Sequence, residues 1–189
     1  LVNKTLLNFF WFYNSKKIKM KGIILSGGLG SRLYPITKSL SKQILPIYDK
    51  PMIYYSLSVL MLSGINDILL ISTKEHIDLF KKQLGNGKHI GISITYKVQK
   101  KPSGIPEAFK IGEKFIGNNS VFLILGDNFF YGQDLSQLLK KNTNKQNGCK
   151  IFIHHVNNPE DYGVIKLNSQ NNISDIVEKP KKYISNLAI

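Results

Sequence analysis

Cysteine, acidic residues and long apolar runs are all scarce in this chain of 189 residues. The single cysteine, Cys149, excludes a disulfide within the chain and is typical of a protein from a reducing compartment. No stretch approaches the ~18 consecutive apolar residues that a membrane-spanning helix requires, so we expect no membrane partner. The four histidines, which include the adjacent pair His154 and His155, lack the spacing of metal ligands.

The shortage of acidic residues gives the chain a strongly positive charge. Lysine and arginine total 26 against 12 aspartate and glutamate residues, a formal net charge of +14. A basic nucleic-acid-binding domain is therefore one alternative, and its binding would fall steeply with salt. The lysines, however, are scattered rather than gathered in one arm or on one helix face, and no nucleic-acid-binding motif is present. This pattern favours a small anionic substrate and no nucleic-acid partner.

A glycine-dense turn directly follows an apolar strand near the start of the chain. Residues 27–35 read GGLGSRLYP. Glycines at 27, 28 and 30 let backbone N–H groups approach anionic oxygens, and Arg32 adds a forked donor for phosphate. The turn lacks the third glycine of a dinucleotide fingerprint, since Leu33 stands there, and no P-loop sequence occurs in the chain. An ordinary structural turn remains the alternative reading of these residues alone.

Apolar segments alternate between strand-like and helix-like patterns, which predicts a Rossmann-like α/β fold with a mostly parallel sheet and helices on both faces. Glycines at 64, 85 and 117 are expected to end three of the helices, and Asp134 to begin the fourth. The predicted strands are 22–25, 67–72, 93–99, 121–125, 151–156 and 164–167. The predicted helices are 52–62, 76–84, 107–115 and 135–141.

Several ordered motifs together resemble one family. The segments GGLGSRLYPIT (27–37), SKQILP (41–46) and DKPMIYY (49–55) resemble the N-terminal signature of the sugar-nucleotide pyrophosphorylases, most closely the glucose-1-phosphate thymidylyltransferases. Ser26 and Ser31 replace the alanine and threonine of that pattern. GDN (126–128), FYG (130–132), DYGVI (161–165) and VEKP (177–180) continue the resemblance. The segment 96–109 departs more, at Ser103, Ile105 and Pro106.

The resemblance implies Mg²⁺-dependent transfer of a thymidylyl group from dTTP to glucose 1-phosphate by in-line attack, with no enzyme nucleophile. Its catalytic residues would be Arg32, Lys42 and Asp127, with Asp127 as the metal ligand. The nucleotide would contact Gly27, Gly28, Gly30, Ser31, Arg32, Lys42, Gln99 and Gly104. The sugar phosphate would contact Tyr162, Gly163, Glu178 and Lys179.

Two of these assignments also follow from the residues. Asp127 ends an apolar strand at the carboxyl edge of the sheet, where open α/β folds bind ligands, and a carboxylate there can hold Mg²⁺. The alternative is a cap on the next turn. The Gln99 amide offers a donor and an acceptor to the imide edge of a pyrimidine, and Gly104 permits close backbone approach. A loop leading into a helix explains Gly104 but not Gln99.

The resemblance starts at Met20, so we expect residues 1–19 to be an extension foreign to the family, with a membrane-surface anchor as the alternative. Residues 20–189 are expected to be a nucleotidyltransferase domain that is incomplete at its C-terminus. Family analogy would place a second metal-binding aspartate and oligomer-forming helices beyond Ile189. It implies a cytoplasmic homo-oligomer that supplies dTDP-glucose for deoxysugars of cell-surface polysaccharide. Transfer of a uridylyl or cytidylyl group, and an inactive nucleotide-binding fragment, stay open as alternatives.

Overall fold

The computed structural model describes residues 19–28, 30–101, 104–143 and 148–189. Apart from Lys19, the predicted N-terminal extension lies outside the described residues. The chain divides into two compact units, one within Asn14–Lys145 and the other within Gln146–Ile189. Each unit contains its own four-stranded sheet.

The first unit alternates strands and helices, as predicted. Every helix and strand predicted between residues 20 and 143 is present, with ends that agree within two residues. Its strands are β1 (Met20–Ser26), β2 (Pro46–Ile47), β3 (Lys50–Pro51), β4 (Asp67–Ser72), β5 (Ser93–Val98) and β6 (Ser120–Leu125). Its helices are α1 (Ile53–Leu62), α2 (Ile77–Leu84), α3 (Pro106–Ile116) and α4 (Leu135–Thr143). The short antiparallel pair of β2 and β3 was not predicted.

The main sheet of this unit has the strand order β5-β4-β1-β6, and all of its neighbouring pairs are parallel. Ile24 at the centre of β1 pairs with Leu70 on one side and Ile124 on the other. Parallel strands covered on both faces read as continuous apolar runs, which is why these strands stood out in the sequence.

Helix α3 covers one face of the parallel sheet. Ile23, Leu69 and Ala108 are fully buried in a cluster on this face. Gly112 of α3 lies so close to the sheet that a Cβ there would sit 3.1 Å from the side chains of Ile23 and Leu69. The small residues on α3 therefore allow the helix to approach the strands closely.

Helix α1 covers the opposite face. A Cβ on Gly22 of β1 would lie 2.7 Å from Leu60 of α1, and Leu60 itself is fully buried. Tyr54 of α1 donates a hydrogen bond from its hydroxyl to the carbonyl of Gln83, which ties α1 to α2. Because α3 and α1 lie on opposite faces, the predicted arrangement with helices on both faces is confirmed.

The predicted helix ends also hold. After α1, Ile65 N donates to Leu60 O and Gly64 N to Met61 O, each over 2.9 Å, which is the paired pattern that closes a helix on a left-handed glycine. Gly85 and Gly117 have positive φ directly after α2 and α3. Asp134 precedes α4, where its carbonyl accepts a hydrogen bond from Leu138 N.

The second unit is an antiparallel sheet with the order β7-β10-β8-β9. Its strands are β7 (His154–His155), β8 (Gly163–Leu167), β9 (Ile173–Glu178) and β10 (Leu187–Ala188). The strand predicted over 164–167 is confirmed as β8, which pairs antiparallel with β9. The strand predicted over 151–156 is wrong in its extent, because only His154 and His155 pair, with the two residues of β10. Strands β9 and β10 were missed.

None of the helices in the described part of the chain combines the length and the apolar character that a membrane crossing requires.

Candidate active site

The candidate site lies where the strand order of the parallel sheet reverses direction. The chain leaves β1 for β4 on one side, and it later returns to β6 on the other side of β1. The carboxyl ends of β1 and β6 are therefore neighbours, and Gly126 N donates to Leu25 O over 2.9 Å to join them. Open α/β sheets bind ligands at such a reversal because the connections diverge there and leave a crevice.

The glycine turn follows β1 directly. A Cβ on Gly27 would lie 2.0 Å from Oε1 of Gln99, so only glycine fits at position 27 against this side chain. Gly30 has a φ of 62°, and its carbonyl accepts a hydrogen bond from Thr37 Oγ1 over 2.9 Å. Gly28 faces open space, and Leu29 lies outside the described residues. The turn thus leaves open space over Gly28, and its contact with phosphate stays a prediction.

Ser31 and Arg32 begin the short 3₁₀ turn Ser31–Leu33, and both are exposed. Arg32 therefore follows the glycine turn directly along the chain, and its side chain is open to solvent. This placement is compatible with the predicted role of Arg32 at a triphosphate.

Lys42 and Asp127 form an ion pair, with Lys42 Nζ 3.0 Å from Asp127 Oδ2. Lys42 belongs to the 3₁₀ turn Lys42–Ile44, and Asp127 comes two residues after the end of β6. Their side chains are 33% and 32% exposed. The two residues were predicted to act in one site, but their direct contact was not predicted.

Two buried polar residues, Gln43 and Ser26, approach Gly126 beside Asp127 and were not predicted as site residues. Gln43 is 3% exposed, and its Oε1 accepts a hydrogen bond from Ser41 Oγ. Ser26 is fully buried, and its hydroxyl makes no hydrogen bond within the described residues. A Cβ on Gly126 would lie 2.1 Å from Ser26 Oγ and 3.0 Å from Gln43 Cγ. The sequence offered only one signal for either residue, the serine at position 26 where the family pattern has alanine.

Gln99 lies just beyond β5, at the same edge of the sheet. Its backbone N donates to Ser72 O over 2.8 Å, and its side chain is buried, with 2% exposure. Its Nε2 donates to Glu107 Oε2 in the first turn of α3 over 2.6 Å. Glu107 is a further residue that the sequence analysis missed, since eight positions separate it from Gln99. Gly104 has a φ of 89° and is exposed.

Strand β5 is anchored by Tyr96, three residues before Gln99. The Tyr96 hydroxyl donates to Gly85 O over 2.6 Å. Burial raises the pKa of Tyr96 to about 12, with a smaller contribution from the neighbouring Tyr54. Tyr96 therefore remains a hydrogen-bond donor over the whole physiological pH range.

The four predicted sugar-phosphate residues all lie in the second unit, where they form one cluster. Gly163 of β8 pairs with Glu178 of β9, and a Cβ on Gly163 would lie 3.0 Å from Glu178 Oε2. Lys179 N donates to Tyr162 O over 2.9 Å, which adds one further backbone bond beyond β9. The structure thus brings Tyr162, Gly163, Glu178 and Lys179 together at one end of the β8–β9 hairpin.

Comparisons with known proteins identify the family. A family model described as nucleotidyl transferase matches residues 21–189. This chain belongs to the nucleotidyl transferase family. The glucose-1-phosphate thymidylyltransferase of Neisseria meningitidis is 54% identical over 170 residues, which are 90% of this chain and 59% of the relative. That of Mycobacterium tuberculosis is 48% identical over the same shares of the two chains.

Solved structures place the chain in the same fold. A Bacillus anthracis protein assigned as a glucose-1-phosphate thymidylyltransferase, in complex with a sucrose, gives a TM-score of 0.82 at 43% identity and covers 90% of this chain and 68% of its own. A UDP-glucose pyrophosphorylase complexed with UDP-glucose gives 0.71 at 30% identity, over 90% and 73%. This nucleotidyl transferase chain spans about 59% of the length of the curated relatives that it matches.

Nucleotidyl transferases generally use Mg²⁺, and the donor set of this chain can be compared with what that ion needs. Within the described residues there is no group of three or more His, Cys, Asp or Glu side chains that could hold a metal. Asp127 supplies one carboxylate, already engaged with the Lys42 cation. Because Mg²⁺ is commonly held by one or two carboxylates and substrate phosphates, these residues fit an ion bound together with a nucleotide.

Proposed function

We propose that the protein transfers a thymidylyl group from dTTP to glucose 1-phosphate, which yields dTDP-glucose and pyrophosphate. The observation that carries this proposal is the Lys42–Asp127 pair beside the glycine turn, at the point where the strand order reverses. Relatives named glucose-1-phosphate thymidylyltransferase, at 48% to 54% identity, support the choice of substrates.

In the proposed reaction a phosphate oxygen of glucose 1-phosphate attacks the α-phosphorus of dTTP. The bond from the α-phosphorus to the bridging oxygen breaks, and pyrophosphate leaves with the electron pair. The protein contributes positioning and charge stabilisation, with no covalent intermediate. Backbone N–H groups at Gly27, Gly28, Gly30 and Ser31 would surround the phosphates.

Arg32 and Lys42 would neutralise the negative charge that the triphosphate brings to the turn. For Lys42 this requires release from Asp127, whose carboxylate would then be free to hold Mg²⁺. The ion would supply charge neutralisation between the phosphate oxygens.

Gln99 and Gly104 would contact the base, with the amide of Gln99 facing the imide edge of thymine. Tyr162, Gly163, Glu178 and Lys179 would bind the sugar phosphate. In this assignment Lys179 holds the phosphate, Glu178 accepts a sugar hydroxyl, the Gly163 N–H donates to the sugar, and Tyr162 walls the pocket. We further propose a cytoplasmic homo-oligomer that feeds deoxysugar synthesis.

Transfer of a uridylyl group is the second candidate function. It is favoured by the 30% identity and the TM-score of 0.71 to a UDP-glucose pyrophosphorylase. Uracil has the same imide edge as thymine, so Gln99 alone does not separate the two bases.

The deciding experiment measures pyrophosphate release with glucose 1-phosphate and each of dTTP, UTP, dCTP, ATP and GTP, together with the equilibrium binding of each nucleotide. We expect dTTP to bind most tightly.

Asp127→Asn should abolish metal-dependent binding and turnover because the amide lacks the charge that holds Mg²⁺. Asp134→Asn, the same change at an exposed position near the start of α4, is the matched control.

Three results would contradict the proposal or redirect it. Tighter binding of ATP or GTP than of dTTP would refute a pyrimidine site. Nucleotide binding without turnover would indicate a binding module. Salt-sensitive retention on DNA that sugar nucleotides do not compete would favour a nucleic-acid-binding protein.

A further inference from the structure

Glu107 holds the side chain of Gln99 by a short hydrogen bond. Gln99 Nε2 lies 2.6 Å from Glu107 Oε2. A carboxylate is an acceptor only, so the atom of Gln99 that faces it must be the amide nitrogen. The other end of the amide, Oε1, lies against the glycine turn, at 2.0 Å from where a Cβ on Gly27 would stand.

Burial makes this orientation persistent. Gln99 is only 2% exposed, so water could not replace the hydrogen bond that a rotated amide would lose. Rotation by 180° would set Oε1 against the Glu107 carboxylate, and two acceptors at that distance repel each other. The direction of the amide is therefore set by the chemistry of residue 107.

We propose that Glu107 is a positioning residue that fixes the amide of Gln99 in one orientation and thereby selects imide bases, thymine and uracil, over cytosine. This inference rests on the proposed function, in which Gln99 faces the base. It goes further by naming the residue that determines which end of the Gln99 amide donates and which end accepts.

The selection follows from the hydrogen-bonding pattern of the bases. With Oε1 fixed as the acceptor, N3–H of thymine or uracil donates to it, and a carbonyl of the base accepts from the remaining N–H of Nε2. Cytosine in the same pose has an unprotonated N3, which sets a lone pair against Oε1. A freely rotating amide could avoid this clash by turning over, whereas one held by Glu107 cannot.

A purely structural role for Glu107 makes a different prediction. An acidic residue in the first turn of a helix stabilises that helix through its dipole. Removing the charge would then lower the stability of the protein and weaken the binding of every nucleotide alike. The ratio of affinities for two bases separates the two roles.

The test compares Glu107→Gln with Glu113→Gln, which makes the same change at an exposed position of the same helix. Dissociation constants for dTTP, UTP and dCTP are measured by calorimetry. In Glu107→Gln we expect the preference for dTTP over dCTP to fall about tenfold, because an amide at position 107 can donate as well as accept. Glu113→Gln should keep the wild-type preference.

NMR of the Gln99 side-chain amide gives a second measurement that needs no ligand. The signal is identified by its loss in Gln99→Met. One amide proton should be shifted downfield by the bond to Glu107, and this shift should disappear in Glu107→Gln but persist in Glu113→Gln.

An unchanged preference in a folded Glu107→Gln protein, or an unshifted amide proton in the wild type, would overturn the inference while leaving the proposed function intact. Wild-type protein that binds none of the three nucleotides would overturn both.

Discussion

Lys42 Nζ lies 3.0 Å from Asp127 Oδ2, so the ammonium and the carboxylate of the candidate active site neutralise each other across 85 residues of sequence. The proposed function gives these groups separate partners, a triphosphate for Lys42 and Mg²⁺ for Asp127. About a third of each side chain is exposed, and ion pairs of this kind contribute only ~0.2–1 kcal/mol. The pair is therefore weak enough for incoming ligands to separate.

Lys42→Ala should increase the affinity of the ligand-free protein for a divalent cation, because the ammonium and the metal compete for the same carboxylate. Loss of a pair worth ~0.2–1 kcal/mol corresponds to an increase of about 1.4- to fivefold. Titration with Mn²⁺, followed by electron paramagnetic resonance of the free ion, measures it directly. The affinity for dTTP should fall in the same variant, since a phosphate donor is lost.

Lys38→Ala provides the control for this experiment. Lys38 is exposed on the preceding 3₁₀ turn, and its loss changes the net charge by the same amount. If both variants raise the Mn²⁺ affinity equally, the effect comes from net charge and the competition at Asp127 is refuted.

Arg32 is the chain's single arginine, beside 25 lysines among its 26 basic residues. Arg32→Lys keeps the charge but removes the planar, forked donor that matches phosphate. We expect dTTP to bind about fivefold more weakly, a loss of ~1 kcal/mol that is typical of one hydrogen bond. Binding of dTDP-glucose, which carries fewer phosphate charges, should change less.

Lys38→Arg, the reverse exchange on the next turn, should leave both affinities unchanged. Equal weakening of dTTP and dTDP-glucose by Arg32→Lys would show that Arg32 does not distinguish the triphosphate.

The raised pKa of Tyr96 predicts how the stability of the protein changes at alkaline pH. Burial raises its pKa to about 12, above the ordinary value near 10, so its folded state keeps the proton after the unfolded state has lost it. The stability that Tyr96 contributes is thus fully present below pH ~10 and is lost as the pH rises toward 12. Below pH ~10 the Tyr96→Phe variant should be less stable than the wild type, and this difference in the free energy of unfolding should shrink as the pH rises toward 12. Urea unfolding of both proteins at several pH values measures it.

A spectroscopic measurement checks the same assignment. The tyrosinate absorbance that is missing in Tyr96→Phe, compared with the wild type, should titrate near pH 12. A missing component that titrates near pH 10 would show that Tyr96 is not shielded.

The parallel sheet and the positions of the site residues on it were predictable because the signals are local. Continuous apolar runs such as 67–72 identify buried parallel strands, and glycines after helices identify their ends. Asp127 could be placed at the ligand edge for the same reason, since it lies in the turn directly after a strand.

Contacts between distant residues were not predictable. The hydrogen bond from Gln99 to Glu107 spans a loop whose path the sequence does not specify, and the Lys42–Asp127 pair depends on the fold of two separate turns. Strand β9 was missed because its residues, ISDIVE, do not alternate cleanly between apolar and polar, and its pairing with β8 includes a register shift at Lys166 and Leu167.

Ser26 and Gly126 face each other at the reversal of strand order, so a side chain at position 126 would meet the Ser26 hydroxyl. A Cβ on Gly126 would lie 2.1 Å from Ser26 Oγ, closer than any real pair of these atoms. Gly126→Ala should therefore destabilise the protein by ~1–3 kcal/mol, the usual cost of overpacking a core.

Ser26→Ala alone should be neutral or slightly stabilising, because the hydroxyl it removes is buried without a hydrogen bond in the described structure. In the double variant the cost of Gly126→Ala should shrink, since the atom it meets first is gone, although Ser26 Cβ at 3.2 Å and Gln43 Cγ at 3.0 Å would keep it above zero. Urea unfolding of the four proteins measures this coupling free energy. Strictly additive effects would show that the backbone at position 126 shifts to relieve the contact by itself.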